Sequence, residues 1–405
     1  MKKLIVALPL ILLTADLQAK VDVDFYGFLK ASYLQSNNSL SSFGNDSLQA
    51  PTEAQNLNND ETSGAQQTAA YKHKSKGSLQ VAQTRPGFLI KRGNNLSAKI
   101  EFDFTDFSTN PTGKNNARVR LAEIYYKFSN SFSARVGQGW TTFEAFTPHT
   151  FNYVGRWFRA GSSGFLAEQV EFKYTLSQWS FYGTIAQKGR NISGYPKTSG
   201  AATDPQVQDV TSGGLPQIVA KVEYNDGTHQ AGFAYTQAKF DYDNVNYVNG
   251  SGTNARGAST HSYGGKLFYH GKFGKLDIRP EIYGGSNLND LLYLTLADHS
   301  VSAGKNRDIQ ELGYFTSFKY SLENGDSIIG GYGRAKITTN LNKIGANKLV
   351  ANEVMRLGYS HNLEEGLDVF GELSNYYSTY TKGAAQKNTS GSQASLVEVG
   401  LVYTF

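Results

Sequence analysis

From Val21 onward the sequence alternates apolar and polar residues with a period of two, which commits the chain to sheet. Residues 96–105 show this most plainly. Leu96, Ala98, Ile100, Phe102 and Phe104 share one face, while Ser97, Lys99, Glu101, Asp103 and Thr105 share the other. Such a strand has one oily side and one wet side. The pattern returns at 169–174, where Val170, Phe172 and Tyr174 oppose Gln169, Glu171 and Lys173. It returns at 218–224, where Ile218, Ala220, Val222 and Tyr224 oppose Lys221 and Glu223, and at 276–283, with Asp277, Arg279, Glu281 and Tyr283 on the polar side. No helical segment is available to cover a sheet of this size.

The connections come in two lengths, and the two alternate. Short turns fall at 92–95, 129–131, 177–178, 225–228, 272–275, 323–326 and 362–366, several of them carrying the Asn/Asp-Gly chemistry of hairpins. Long connections fall at about 36–78, 107–117, 141–164, 189–215, 241–261, 286–308, 337–351 and 378–392. Eight long and seven short connections leave sixteen strands of roughly ten residues each. An even strand number, short turns at one end and long loops at the other describe an all-β fold, a transmembrane antiparallel β-barrel. Closure satisfies every backbone N–H and C=O without a sheet edge, which hydrocarbon requires.

Composition agrees with a wet interior. Hydrophobic residues make up 39% of the 405 and aromatics 13%, with 42 Gly, a pairing that disordered chains lack. A mean hydropathy of −0.42 excludes a bundle of spanning helices. The absence of Cys excludes a disulfide scaffold, a thiolate metal site and a lipid-anchored Cys. The one continuous apolar run, Leu4 to Leu13, follows Met1, Lys2 and Lys3 and reads as a signal peptide over 1–19. Cleavage after Ala19 and cleavage after Ala15 both fit, and 20–405 is then one barrel domain. Losing Lys2, Lys3 and Asp16 takes the net charge from +5 to +4, spread too thinly for nucleic acid.

The last strand, Ser395 to Phe405, ends on Phe with Val397, Val399, Leu401 and Tyr403 at alternate positions. It resembles the C-terminal strand of bacterial outer-membrane proteins, in which Tyr403 and Phe405 would form the signal read by the assembly machinery. Three further stretches resemble Gram-negative trimeric porins: Val23–Tyr33, with its Tyr26-Gly27 pair, Arg118–Tyr126, and Ala134–Phe143. Within that family, Gly137–Phe143 followed by Thr147, Pro148 and Phe151 is most similar to the DcaP-like branch, which is associated with small dicarboxylates. The resemblance implies a homotrimer in outer-membrane lipid and lipopolysaccharide. It also implies a third loop, about 141–164, folded into the lumen.

That loop carries Phe143, Phe146, Phe151, Tyr153, Trp157 and Phe158, more aromatics than water would favour. An aromatic lid at the membrane surface or a subunit contact fits the same residues. By resemblance the constriction would combine acidic Glu144 with a basic wall of Lys30, Arg85, Arg118 and Arg120, while Arg156 and Arg159 add positive charge on the loop. The phase of Arg118 and Arg120 also contains Ile124, Tyr126 and Phe128. These arginines therefore face either the lumen or the lipopolysaccharide phosphates. Lys99, Glu101, Asp103, Arg135, Glu171, Lys173, Asp277, Arg279 and Glu281 would line the wall as pairs that keep it hydrated.

Enzyme chemistry finds no foothold. The histidines at 73, 149, 229, 261, 270, 299 and 361 are scattered, without a Ser/His arrangement or zinc spacing, and no cofactor or metal motif is present. Three readings stand: a diffusion channel for small hydrophilic solutes and ions, near-neutral or weakly anion-preferring; a specific channel for small anions such as dicarboxylates, or for sugars; and an adhesin or receptor barrel that displays its first loop. A sugar track would need aromatics along the lumen, and here they are expected outside or in the third loop.

Overall fold

The computed structural model describes residues 21–37, 75–104, 117–152, 157–187, 216–241, 259–291, 293–296, 300–302, 305–339, 341, 344, 349–382 and 388–405. The leader, most of the first long loop, Tyr153 and Arg156 lie outside them. The strands are β1 (Val21–Ser36), β2 (Lys76–Gln80), β3 (Arg85–Arg92), β4 (Leu96–Asp103), β5 (Arg118–Lys127), β6 (Phe132–Trp140), β7 (Leu166–Leu176), β8 (Trp179–Ala186), β9 (Gln217–Asn225) and β10 (His229–Asp241). Then follow β11 (Ser259–Phe273), β12 (Leu276–Ser286), β13 (Ser300–Ser302), β14 (Lys305–Arg307), β15 (Gln310–Ser321), β16 (Ser327–Ile337), β17 (Leu349–Glu364), β18 (Leu367–Lys382) and β19 (Asn388–Thr404).

Each strand of the main sheet pairs antiparallel with its neighbour in sequence, and β19 returns to β1. β2 and β3 both pair with β1 and form two halves of one wall strand, while β13 and β14 make a separate hairpin in a loop. The result is a closed barrel of sixteen strands. Its seam is also held at the last residue. Phe405 N–H donates to Gly27 O at 3.0 Å, Gly27 N–H donates back at 3.1 Å, and the Phe405 ring stacks on Phe25 at 4.8 Å.

The predicted alternation becomes the two sides of the wall. Val170, Phe172, Tyr174 and Leu176 of β7 are exposed outward, as are Val397, Val399, Leu401 and Tyr403 of β19, giving a face suited to lipid. All seven short turns lie where the sequence places them. At 225–228 the Asp226 carboxylate accepts from the N–H groups of Thr228 and His229, and Gly227 supplies a φ of 91°. The last long loop is shorter than expected, because β18 runs on to Lys382 and β19 resumes at Asn388.

Besides register shifts at both ends of the β17–β18 pair, two irregularities near the predicted basic wall redirect side chains. In β5 the register steps from Glu101↔Leu121 to Phe102↔Val119, so Arg120 is an extra residue with no partner of its own. Arg120 and Leu121 are then both buried, and the inward phase changes from even to odd numbers beyond them. Arg118 and Arg120 therefore face the lumen, while Ala122 and Ile124 face lipid. The second irregularity separates β2 from β3. There Lys30 N–H donates to Thr84 Oγ1 at 3.1 Å instead of to a ladder carbonyl.

Candidate functional site: the bore and its loops

The third loop enters the barrel from the junction of β6 and β7. Trp157 and Ala160 pack against β16, where a Cβ on Gly333 would collide with both. β16 lies eight strands around from β6, so the loop spans the bore to the opposite wall. Trp157 joins Leu34, Ala160, Phe315, Val354, Tyr376, Ala394 and Leu396 in a buried cluster, with Phe146 at its edge. Burying these aromatics is the physical motive for insertion.

Polar contacts fix the same stretch. Lys30 Nζ donates to Gln83 Oε1 at 2.7 Å, to Phe151 O, and to Glu398 Oε1 at 2.7 Å. Its side chain and that of Glu398 are each 1% exposed, which places Lys30 under the loop and away from open water. Asn152 Nδ2 donates to the other Glu398 oxygen at 3.1 Å. Arg356 bonds Glu372 at 2.7 Å and Thr150 at 2.8 Å, and Glu372 also accepts from Phe151 N–H at 2.8 Å. Both buried pairs are hydrogen-bonded through every atom of their carboxylates and through the Lys30 ammonium, with Arg356 Nε left over, close to the condition under which buried charge is tolerable.

A third anchor holds the loop to β12. His149 Nε2 lies 2.9 Å from Asp277 Oδ1 and His270 Nε2 3.0 Å from Oδ2, so two imidazoles share one carboxylate. Arg279 bonds Asp277 at 3.2 Å and donates to Thr147 O at 2.8 Å. Burial and the Arg279 charge push the His149 imidazole down to about 4, against the pull of Asp277.

On the other side of the loop the wall from β3 to β9 carries a chain of ion pairs. Arg118 forks onto Asp103 at 2.6 and 2.9 Å, and Arg120 pairs with Glu101 and lies 3.8 Å from Asp103. The Arg120 guanidinium also covers the Trp140 ring at 5.1 Å. Arg135 bridges Glu123 at 2.8 Å and Glu171 at 2.7 Å. A Cβ on Gly139 would occupy the Glu123 carboxylate position, so that glycine makes room for the pair. Lys221 sits 3.3 Å from Glu223. Lys99 and Lys173 instead lie over the rings of Tyr26 and Tyr182, at 5.0 and 5.2 Å. Arg85 lies 5.6 Å from the Phe28 ring.

The remaining predicted residues are dispersed. Glu144 sits at the root of the loop, where a Cβ on Gly164 would meet its carboxylate. Arg159 has a φ of 60° and its N–H donates to Leu294 O at 2.9 Å. Glu281 pairs with Lys266 at 2.9 Å in full burial, and Lys266 also donates to Ser163 O at 2.6 Å. The structure thus brings together Arg118, Arg120, Glu101 and Asp103. Lys30, Arg279 and Glu281 belong to separate contacts beneath the loop.

Glu123, Lys266, Arg356, Glu372 and Glu398 escape a reading by resemblance. Strand phase counted outward-to-inward from Tyr403 does locate Glu398. The expected outward placement of aromatics also needs correction. Tyr26, Tyr125 and Tyr182 face the lumen, their hydroxyls donating to Glu101 at 3.2 Å, Glu123 at 2.7 Å and Glu223 at 3.4 Å.

Open space follows the ion-paired wall. A cavity of about 420 Å³ is lined by Arg135, Trp140, Thr142, Glu144, Glu171, Lys173, Tyr182 and Lys221 among others. A second, of about 490 Å³, is bordered by the turns near Asn94 and Asn130 and shares Tyr125, Ser133 and Lys173 with the first. Among the described residues no cluster of His, Asp and Glu is arranged to hold a metal ion.

Solved structures share this architecture. The chain superposes on the outer membrane channel DcaP of Acinetobacter baumannii with a TM-score of 0.69 at 15% identity, covering 95% of this chain and 97% of that one. For an anion-selective porin from Comamonas acidovorans the values are 0.55, 13%, 95% and 100%. For Salmonella typhi OmpF in complex with daunomycin they are 0.57, 12%, 95% and 97%. Neither a family model nor a curated protein matches the sequence. At these identities the likeness establishes the porin fold.

Proposed function

We propose that the protein is an outer-membrane channel, not an enzyme, through which small hydrophilic solutes and ions diffuse passively. The observation that carries this reading is the pair of adjoining cavities along β3–β9, beside a loop that spans the rest of the bore. Selectivity in such a passage follows its width and the sign of its lining charge. Arg85, Lys99, Arg118, Arg120, Arg135, Lys173 and Lys221 on this wall stand against Glu101, Asp103, Glu123, Glu171, Glu223 and the loop's Glu144. Near-neutral or weakly anion-preferring conduction is the expected result. Bilayer recording of the purified protein tests it: a reversal potential reporting strong cation selectivity overturns the charge reading, and absence of conductance overturns the channel.

A specific channel for small anions, dicarboxylates included, has one observation in its favour. The described contacts of Lys99 and Lys173 are to aromatic rings, so their charge is not cancelled by a wall carboxylate. We further read the leader 1–19 as the export signal, Tyr403 and Phe405 as the assembly signal, and the mature protein as a homotrimer in lipopolysaccharide-bearing lipid. Triplet closing steps in the same recordings would report three pores.

A further inference from the structure

Apart from the sector packed on Trp157, a second stretch of the inner wall carries apolar residues where polar ones are expected. Val219 on β9, Ala234, Ala238 and Phe240 on β10, and Tyr283 on β12 all face inward and are buried. A wall meeting water would carry polar groups there. What covers these residues is the connection after β12. Leu288 and Leu291 lie on a 3-10 turn (Leu288–Leu291), and Tyr293 follows.

Tyr293 is fixed on several sides. Its ring lies 4.8 Å from that of Phe143, with the planes 7° apart. Its hydroxyl donates to Thr236 Oγ1 at 3.1 Å, accepts from Gln217 Nε2 and lies 3.5 Å from Thr141 Oγ1. Backbone bonds stitch the segment to the third loop: Gly164 N–H donates to Tyr293 O at 3.0 Å and Arg159 N–H to Leu294 O at 2.9 Å. Beyond it, Leu296 N–H donates to Glu311 at 2.8 Å.

We propose that the connection after β12, through its residues 287–291 and 293–296, is a second constriction element, with Tyr293 as its positioning residue, and that it closes the β9–β12 sector so that solute passes only along β3–β9. This rests on the channel reading. The third loop reaches β11 and β12 at Lys266, Asp277 and Arg279 and lends Phe143 to the cluster, while Leu288, Leu291 and Tyr293 supply the rest of the cover over the sector's apolar wall residues. Neither cavity draws a lining residue from β10, β11 or β12. The width of the passage is therefore set by two loops leaning on each other through Phe143 and Tyr293.

The chain lacks cysteine, so single introduced thiols report access cleanly. Ala234→Cys lies under the segment and Lys173→Cys lies on the open wall. Each is exposed to a small charged thiosulfonate while current is recorded across a bilayer, with labelling in proteoliposomes scored in parallel. The expected result is labelling and stepwise block at Lys173→Cys, and protection at Ala234→Cys. Adding Tyr293→Ala should abolish that protection and roughly double the conductance, since conductance follows open cross-section. Adding Tyr293→Phe, which keeps the ring on Phe143, should retain protection. Labelling of Ala234→Cys in the otherwise unaltered protein overturns the proposal, whether or not Tyr293→Ala folds. So does a folded Tyr293→Ala barrel with unchanged conductance and intact protection. Absence of current with Ala234→Cys still protected would remove the channel reading while leaving the segment's placement standing.

Discussion

Two sectors of one wall obey the same alternation and carry different chemistry. From β3 to β9 the inward positions hold Arg118, Arg120, Arg135, Glu171 and Lys221, mostly joined in ion pairs beside open space. From β15 round to β1 the inward positions include Phe315, Val354, Tyr376, Leu396 and Leu34, buried against Trp157. Alternation decides which side chains point inward. What then meets them, water or a loop, decides whether they are charged or apolar. The charged residues of the dry sector, such as Arg356 and Glu372, confirm this division, because they bond to the loop itself.

Trp157→Ala attacks the dry sector directly. Removing a buried Trp side chain costs about 3–5 kcal/mol, here drawn from the docking of the loop. The barrel should still form, since its ladder does not depend on the ring, and single-channel current should become larger and noisier. Current indistinguishable from that of the unaltered protein would mean the sector stays dry without the loop.

Acidity should loosen the same loop at another anchor. Because His149 is held neutral in the folded protein, with its pKa pushed down to about 4, the released imidazole binds a proton first, near its ordinary 6.5. The anchor's contribution is therefore full above pH ~6.5 and is lost as pH falls toward about 4. Current noise should rise over that window. His149→Gln, which does not titrate, should flatten the pH dependence, and a pH profile unchanged by this substitution would locate the effect elsewhere.

In the wet sector the expected effects are smaller. Replacing Arg118 and Arg120 together by Ala leaves Glu101 and Asp103 without their cations, so the reversal potential in a KCl gradient should move toward cation selectivity. At the rim, Lys91 and Asp24 pair at 2.9 Å with side chains 49% and 57% exposed. Lys91→Ala should change stability by less than about 1 kcal/mol in urea unfolding. A larger loss would show that the rim is more tightly organised than its exposure indicates.

The barrel was legible because its determinants are local. Alternation at 96–105 and turn chemistry at 225–228 each occupy a few consecutive residues, and together they settle strand number and connection lengths. The insertion of the third loop was legible from its aromatics. The second inward segment was not, since the connection after β12 resembles an ordinary loop; its trace lay in the apolar residues on the inward phase of β10. Anchors such as Lys30–Glu398 join residues 368 apart, and no local pattern announces them. The facing of Arg118 and Arg120 depended on a register step against β4, which a single strand cannot display.

That step makes β5 behave like a text with one extra letter. Upstream of Arg120 the even residues are read into water, and downstream the odd ones are. Substitutions along β5 change one word each. Deleting Leu121 would remove the extra letter and restore an unbroken frame, with Glu123 and Tyr125 still turned toward the bore and Ile124 toward lipid. Evolution of this strand can therefore explore composition freely, and can shed one residue at the doubled pair without rewriting the downstream half.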